Sequence, residues 1–177
     1  MKLKFILIIY SAILVAGCSN ADNGAIPAVS VEQLPDQVCY NLDIAFIDSS
    51  TTKAVVVAGR AQIYNDSSKT YLDRGVNVEF YDAFGKRTGT LTADNVVIND
   101  ITKDMIATGN VVVVGDSTRT TLHTSELEWN NTTKLIHNKS YVKIVSPTEI
   151  IEGIGIETNE NLSNYKIYKV TGIKDYM

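Results

Sequence analysis

The chain has 177 residues, 45% of them hydrophobic, with 16 Lys and Arg against 20 Asp and Glu and a formal net charge of −4. A length of this order fits one domain, and a net-negative chain without a basic run lacks the clustered Lys/Arg face by which proteins hold nucleic acid. The same sign argues against adsorption to anionic headgroups as its main mode of action.

At the N-terminus Lys2 and Lys4 precede the apolar run Phe5 to Val15, and the tetrapeptide Val15-Ala16-Gly17-Cys18 follows. This is the pattern of a secretory signal over residues 1–17 that ends in a lipobox. Small residues flank the scissile bond, and the Cys18 thiol is expected to receive diacylglycerol before cleavage leaves it as the first residue. An uncleaved transmembrane helix fits less well, because spanning takes roughly 20 apolar residues and this run is shorter. Several acyl chains anchor far more firmly than one, so the mature chain is expected to stay on a membrane without crossing it. Loss of Lys2 and Lys4 leaves 14 basic against 20 acidic side chains. With Cys18 acylated, Cys39 has no intramolecular partner and reads as a small buried residue.

Ser19 to Gln37 holds Gly24, Pro27 and Pro35 and shows no sustained periodicity. Residues 18–37 therefore read as a lipidated cysteine and its tether. Fully extended, such a tether spans at most about 60 Å, and a flexible one averages nearer 25 Å.

From Val38 to the end, residues 38–177, the chain reads as an all-β domain, dense in Val, Ile, Thr and Tyr and punctuated by Gly, Asn and Asp. Val76-Asn77-Val78-Glu79-Phe80 alternates apolar and polar residues, as do Leu127-Glu128-Trp129 and Val142-Lys143-Ile144, the mark of strands with one face buried. No proline occurs between Asp36 and Ser146, in keeping with continuous pairing, since proline has no amide to give a neighbouring strand. An internal repeat runs through this region. Ala61-Gln62-Ile63-Tyr64-Asn65 aligns with Asn95-Val96-Val97-Ile98-Asn99 and Glu126-Leu127-Glu128-Trp129-Asn130, each ending in a large apolar residue and Asn. Second strands are centred on Val76, Val111 and Val142, and a weaker fourth copy runs from Thr158-Asn159 to Val170. Strand, polar turn, strand, recurring in this way, predicts stacked β-hairpins that complete one another's core, although Asn is also a generic turn residue.

Catalytic chemistry finds little support. His123 and His137 have no Cys or carboxylate at metal-ligand spacing. Glu126 and Glu128 sit two apart on an expected outward strand face, and no nucleophile elbow, phosphate loop or zinc helix is present. An Asn-x-Ser site at Asn65 carries little weight behind a bacterial lipobox. No enzyme activity, cofactor or metal is expected.

Within the repeats, Leu91-Thr92-Ala93-Asp94-Asn95 followed by Asp104-Met105-Ile106-Ala107-Thr108-Gly109-Asn110-Val111 resembles the "L-T-A-D … A-x-G-N-V" element of the lipopolysaccharide-export proteins called LptC. Leu122-His123-Thr124-Ser125-Glu126-Leu127 resembles that family's L-x-T-x-x-L step. Phe80-Tyr81-Asp82-Ala83-Phe84-Gly85 resembles its "F-Y-D-x-x-G" turn, and Ile151 to Asn159 its late "G-x-G-x-x-S/T-N/D" turn. The likeness runs from about Pro35 to Gly172. It implies an OstA-like open β-jellyroll, two antiparallel sheets folded into a trough whose apolar inside holds the acyl chains of lipid A. It further implies that lipopolysaccharide arrives from an inner-membrane ABC transporter of the LptB/LptF/LptG type and leaves to an LptA-type periplasmic bridge. Trough candidates are Val76, Val78, Phe80, Val111, Val113, Leu127, Trp129, Val142 and Ile144, for each of which plain core packing is the alternative. The last strand, Tyr165-Lys166-Ile167-Tyr168-Lys169-Val170, has no proline and little chain after it to cover its edge, so Tyr165, Ile167, Tyr168, Lys169 and Val170 are candidates for pairing with a partner strand.

The chain departs from the family pattern in two ways. An acylated Cys18 stands where studied members carry a transmembrane helix, which puts any ATPase-regulating role of such a helix in question. Ser19 and Asn20 follow that cysteine where an Asp would mark inner-membrane retention. The expected place is the periplasm, anchored to the inner membrane by preference and to the outer membrane as the alternative. A structural envelope lipoprotein that scaffolds without moving lipid is the other function compatible with these features. The soluble bridge itself is a third, disfavoured by the lipobox.

Overall fold

Alternating apolar residues and β-branched runs such as Val55-Val56-Val57 fold, among the described residues, into nine strands with polar turns between them. A computed structural model of the chain describes residues 34–48 and 50–175. Cys18 and the tether up to Gln33 lie outside the described residues. The strands are β1 (Gln37–Asp48), β2 (Thr51–Tyr64), β3 (Lys69–Tyr81), β4 (Arg87–Asn99), β5 (Met105–Gly115), β6 (Thr120–Asn130), β7 (Leu135–Val145), β8 (Glu149–Thr158) and β9 (Tyr165–Asp175). Each pairs antiparallel with the next, giving one sheet in the order β1 to β9. Pro35 precedes β1 and Pro147 sits in the turn between β7 and β8, both outside the ladder. No helix among the described residues is long and apolar enough to cross a membrane.

The sheet is creased. Register shifts interrupt the pairing between Val57 and Arg60, Asp73 and Val76, Thr92 and Asn95, Thr108 and Val111, Thr124 and Glu128, and Asn138 and Tyr141. These positions lie side by side, so the bulges form a line that every strand from β2 to β7 crosses, and divide the sheet into a first half, with residues 51–57, 76–81 and 87–92, and a second half, with residues 60–64, 69–73, 95–99 and 105–108. Bulges bend a strand and raise its twist, and here they fold one continuous sheet into the two facing walls of an open jellyroll.

Each strand pair makes its crease with different residues. In β3, Arg74 and Gly75 take φ of 64° and 84°; in β5, Gly109 and Asn110 take 76° and 46°. Glycine enters this region without strain. At Gly109 a Cβ would also meet the Asp94 carboxylate at 2.5 Å, and that carboxylate accepts a hydrogen bond from Asn110 Nδ2 at 2.7 Å. Between β2 and β3, Arg60 is bonded bidentately to Asp73. Between β6 and β7, Asn138 Nδ2 donates to Thr124 Oγ1 and to the Glu126 carbonyl, both at 2.8 Å.

The repeated Asn residues hold the turns of the second half. Asn99 Oδ1 accepts from the amides of Ile101 and Thr102, and Asn130 Oδ1 from those of Thr132 and Thr133. Asn159 Oδ1 accepts from Ser163 N. Asn65 serves through its backbone instead, its carbonyl accepting from Ser68 N. Neighbouring hairpins are then tied together: Asp36, ahead of β1, accepts from Asn65 N, Asp100 from Thr70 Oγ1 at the start of β3, and Asp104 from Asn131 N in the next turn along.

The walls enclose one core that runs the length of the sheet, from Ala54 and Val56 to Ile156 and Leu162. The turn after β8 closes part of the gap between the walls. Its buried Leu162 enters the core, Asn161 O accepts from Thr118 Oγ1 at 3.0 Å, and the carbonyls of Glu160 and Asn161 occupy the space that a Cβ on Gly89 or Gly115 would need.

Candidate functional site

Beside the crease and reaching out from it, the walls meet in an apolar slot. Val78, Phe80 and Leu91 come from the first half, and Val96, Met105, Ala107, Leu127, Trp129 and Ile136 from the second. Its free volume is only about 20 Å³, room for a water molecule at most. The Phe80 and Trp129 rings bridge the walls with centroids 5.8 Å apart and planes at 33°. Outside that ring pair lies an open cleft of about 390 Å³, lined on one side by Phe46, Lys53, Ala54, Tyr81 and Asp82 and on the other by Lys103, Met105, Asn131, Lys134 and Glu160. An almost filled slot beneath a wide mouth is an arrangement that can receive an apolar chain only if the walls part.

The structure distributes the sequence candidates between these two environments. Val78, Phe80, Leu127 and Trp129 line the slot. Val76, Val111, Val113, Val142 and Ile144 are 0–2% exposed and belong to packed core that borders neither slot nor mouth. All nine face inward; Trp129 alone among them is half-buried. Leu91, Val96, Met105, Ala107, Ile136, Phe46 and Ala54 were not anticipated. Alternation alone misplaces several of these, because each bulge shifts the inward set: β4 buries Leu91 and Ala93 before its bulge and Val96 and Ile98 after it. The signal available in the sequence was Gly or Asn interrupting an alternating run, as at Gly109-Asn110.

β9 forms an edge. Among the described residues it pairs only with β8. Tyr165 and Ile167 pack against the core, Ile167 resting over Gly153, where a Cβ would lie 2.4 Å from its Cγ2. Tyr168 and Val170 are 58% and 49% exposed, and Lys169 is also exposed. The five edge candidates therefore split, two supporting the strand from inside and three facing solvent. Burial pushes the Tyr165 phenol up from its ordinary range.

Apart from the buried Thr70, Thr120, Asn138 and Thr158, the remaining polar groups are spread over the outer surface. On the first half, Arg87 pairs with Asp116 at 2.9 Å and Glu79 at 3.2 Å. The Tyr81 hydroxyl, then Arg87, hold the Glu79 carboxyl below its usual value, and Asp116, then Glu79, raise the Arg87 guanidinium. His137 Nδ1 lies 4.0 Å from Glu128, whereas His123 is exposed. Among the described residues no three His, Cys, Asp or Glu gather as metal ligands would. Cys39 is a free thiol; contrary to expectation it is half-buried, packed against the core from the edge strand β1.

Residues 4–175 match the family described as "Lipopolysaccharide-assembly, LptC-related". No curated protein gives a match. Among solved structures, the fold is similar to that of LptH, the LptA-homologous periplasmic component of the lipopolysaccharide transport device of Pseudomonas aeruginosa. The TM-score is 0.54 at 14% identity, over 70% of this chain and 94% of that one, a likeness that concerns the fold. A match along nearly the whole chain, over a creased jellyroll of this build, places the protein: it belongs to the LptC-related family and is a component of lipopolysaccharide transport.

Proposed function

We propose that the protein works in the periplasm as a lipid carrier, taking the acyl chains of lipopolysaccharide between the two walls at the Phe80–Trp129 mouth. The observation that supports this most directly is the 390 Å³ cleft leading down to an apolar slot. In the structure that slot is shut by its own side chains, so loading is a parting of the walls. Apolar contacts made within the protein are exchanged for contacts with acyl chains, and such an exchange costs little because burial is conserved. The crease is the hinge on which the walls would move. No covalent chemistry is asked of this chain; the energy for transport comes from an ABC transporter in the inner membrane. Lipid leaves to a jellyroll bridge that adds its own strand to the open edge of β9, aligning two troughs. Acylation of Cys18 would hold the domain at the membrane surface.

A photo-crosslinker placed at Val78, inside the slot, is expected to capture lipopolysaccharide, and one at Val57, on the outer face, is not. Equal capture at both positions, or none at Val78, would refute the carrier reading and favour a scaffold. The same probe at Lys169 should capture the bridge protein. For the anchor, Cys18→Ala should abolish labelling by a fatty-acid analogue; a variant that is still labelled carries its lipid elsewhere.

A further inference from the structure

We infer that Lys53, Lys103 and Lys134 form a phosphate-binding rim at the mouth, reading the phosphorylated headgroup of the lipid whose acyl chains enter below. The inference rests on the carrier function proposed above and adds the site that selects its cargo.

Lys103 and Lys134 occupy equivalent places in consecutive hairpins. Each lies four residues beyond a turn Asn, and each donates its backbone amide to that Asn carbonyl at 2.8 Å. They share a left-handed backbone, with φ of 65° and 59°, and line the same side of the cleft. Lys53 faces them from β2 on the other wall. Lysine enters the left-handed region with strain where glycine does not. Arg119 has the same conformation, φ 53°, in a turn away from this cleft, so backbone shape alone does not single out the two lysines. What does is their convergence with Lys53 around one apolar opening.

The chemistry of the rim fits an anionic head. Among the described residues none of the three ammonium groups is in an ion pair, and only Lys134 makes a side-chain hydrogen bond, to Asn131 Oδ1 at 2.7 Å. An ammonium has three donors, so this leaves Lys134 two. Three carboxylates share the cleft, those of Asp48, Asp82 and Glu160, and Asp82 is held in place by the amides of Phe84 and Lys86. The charges of the cleft therefore balance, and an anionic head is held at close range by the ammonium donors, not drawn in by a net positive field. Directly beneath lie Phe80, Met105 and Trp129, so a ligand that satisfies the whole surface is an amphiphile with phosphate at its head and hydrocarbon at its tail. Apolar contact below lowers the local dielectric and strengthens the ammonium–phosphate attraction above.

The test compares the full chain with the variant Lys53→Gln, Lys103→Gly, Lys134→Gly. Glycine relieves the left-handed backbone at both turns, so the variant should melt at or above the wild-type temperature and any loss of binding is not a loss of fold. Both proteins are titrated with phosphorylated lipid A and with the same lipid A after enzymatic removal of its phosphates. Wild type should prefer the phosphorylated form by about tenfold, the scale of one charge-assisted hydrogen bond, and the preference should shrink as salt is raised. The variant should bind the dephosphorylated lipid as wild type does and show no preference. A variant that keeps the preference, or a wild type that lacks it while still binding both lipids, overturns the rim and leaves the carrier function standing. Inorganic phosphate bound at the three lysines and not displaced by lipid A would show a free-ion site and also overturn the inference. Failure of wild type to bind either lipid overturns the carrier function, and the rim with it.

Discussion

The interior of the sheet holds two kinds of apolar surface that look alike in sequence and differ in space. Val111, Val113, Val142 and Ile144 are wholly buried and border neither the slot nor the cleft. Phe80, Met105 and Trp129 stand at the mouth, where slot and cleft meet. The first group holds the walls together and the second can let them part. A carrier needs both, since a trough packed equally throughout would have no place to begin opening. The difference comes from whether a residue borders the open cleft, not from residue type.

The largest effect that would expose this division is expected at Val142. The residue is 0% exposed, and Val142→Asp puts a carboxylate where neither water nor a partner reaches it. Burying an unpaired ionised group costs more than several kcal/mol, comparable with the whole stability of a small domain. The variant is expected to lose its cooperative melting transition. A folded Val142→Asp protein would mean that this end of the core opens too, and the two regions would no longer be distinct.

Trp129 tests the other side. A fully buried Trp cut to Ala costs about 3–5 kcal/mol, and half-buried Trp129 should cost less, so Trp129→Ala is expected to fold with a lowered melting temperature. Its contact with Phe80 is lost, the mouth is widened, and lipid should enter faster in a stopped-flow uptake assay. Uptake at the wild-type rate would show that the ring pair does not govern entry.

Much of this architecture was legible in the chain. The four repeats correspond to β2–β3, β4–β5, β6–β7 and β8–β9, and three of the four repeated Asn side chains hold turn amides. Asn131 and Asp104 show why the hairpins stack, through bonds that link consecutive turns. The inward set was only partly legible. Alternation carried Val76, Val78 and Phe80 correctly along one arm of β3, but a bulge transfers burial from one parity to the other, as between Ala58 and Ala61 in β2. The mouth was missed for another reason. Lys103 and Lys134 are exposed turn residues, and polar turns look the same in sequence whether or not they border a cleft.

A smaller effect is expected at Asn130, whose Oδ1 accepts from the amides of Thr132 and Thr133 and from the Thr133 hydroxyl. Those donors are exposed and can turn to water, so Asn130→Ala should cost about 1 kcal/mol, the net value of a typical hydrogen bond. The melting temperature should fall by a few degrees. The turn also carries Lys134, so the preference for phosphorylated lipid should weaken with no change toward the dephosphorylated form. A change in both would place Asn130 in the support of the slot itself.

The smallest effect concerns the crease, and it depends on pH. Asp73 and Arg60 face each other across β2 and β3 beside the register shifts, and Arg60 Nε donates to both Asp73 oxygens, at 2.9 and 3.1 Å. That hydrogen bond is the main reason the Asp73 carboxyl is held below its ordinary range, and the Arg60 and Arg74 charges lower it further against a desolvation that opposes them. A carboxyl whose pKa is lower folded than unfolded stabilises the fold in full above its unfolded value, and the contribution disappears as pH falls through the folded one. Both side chains are about a quarter exposed, so solvent screening keeps the pair's contribution small. Asp73→Asn should therefore melt slightly below wild type at pH 7. Between neutrality and the ordinary carboxylate range the gap should stay constant, and below that range it should close, because wild type then loses the same charge. Melting curves for both proteins across this series measure the pair directly. A gap that persists undiminished into strong acid would show that Asp73 holds the crease by shape and hydrogen bonding alone, and that its charge has no part in keeping the two walls at their angle.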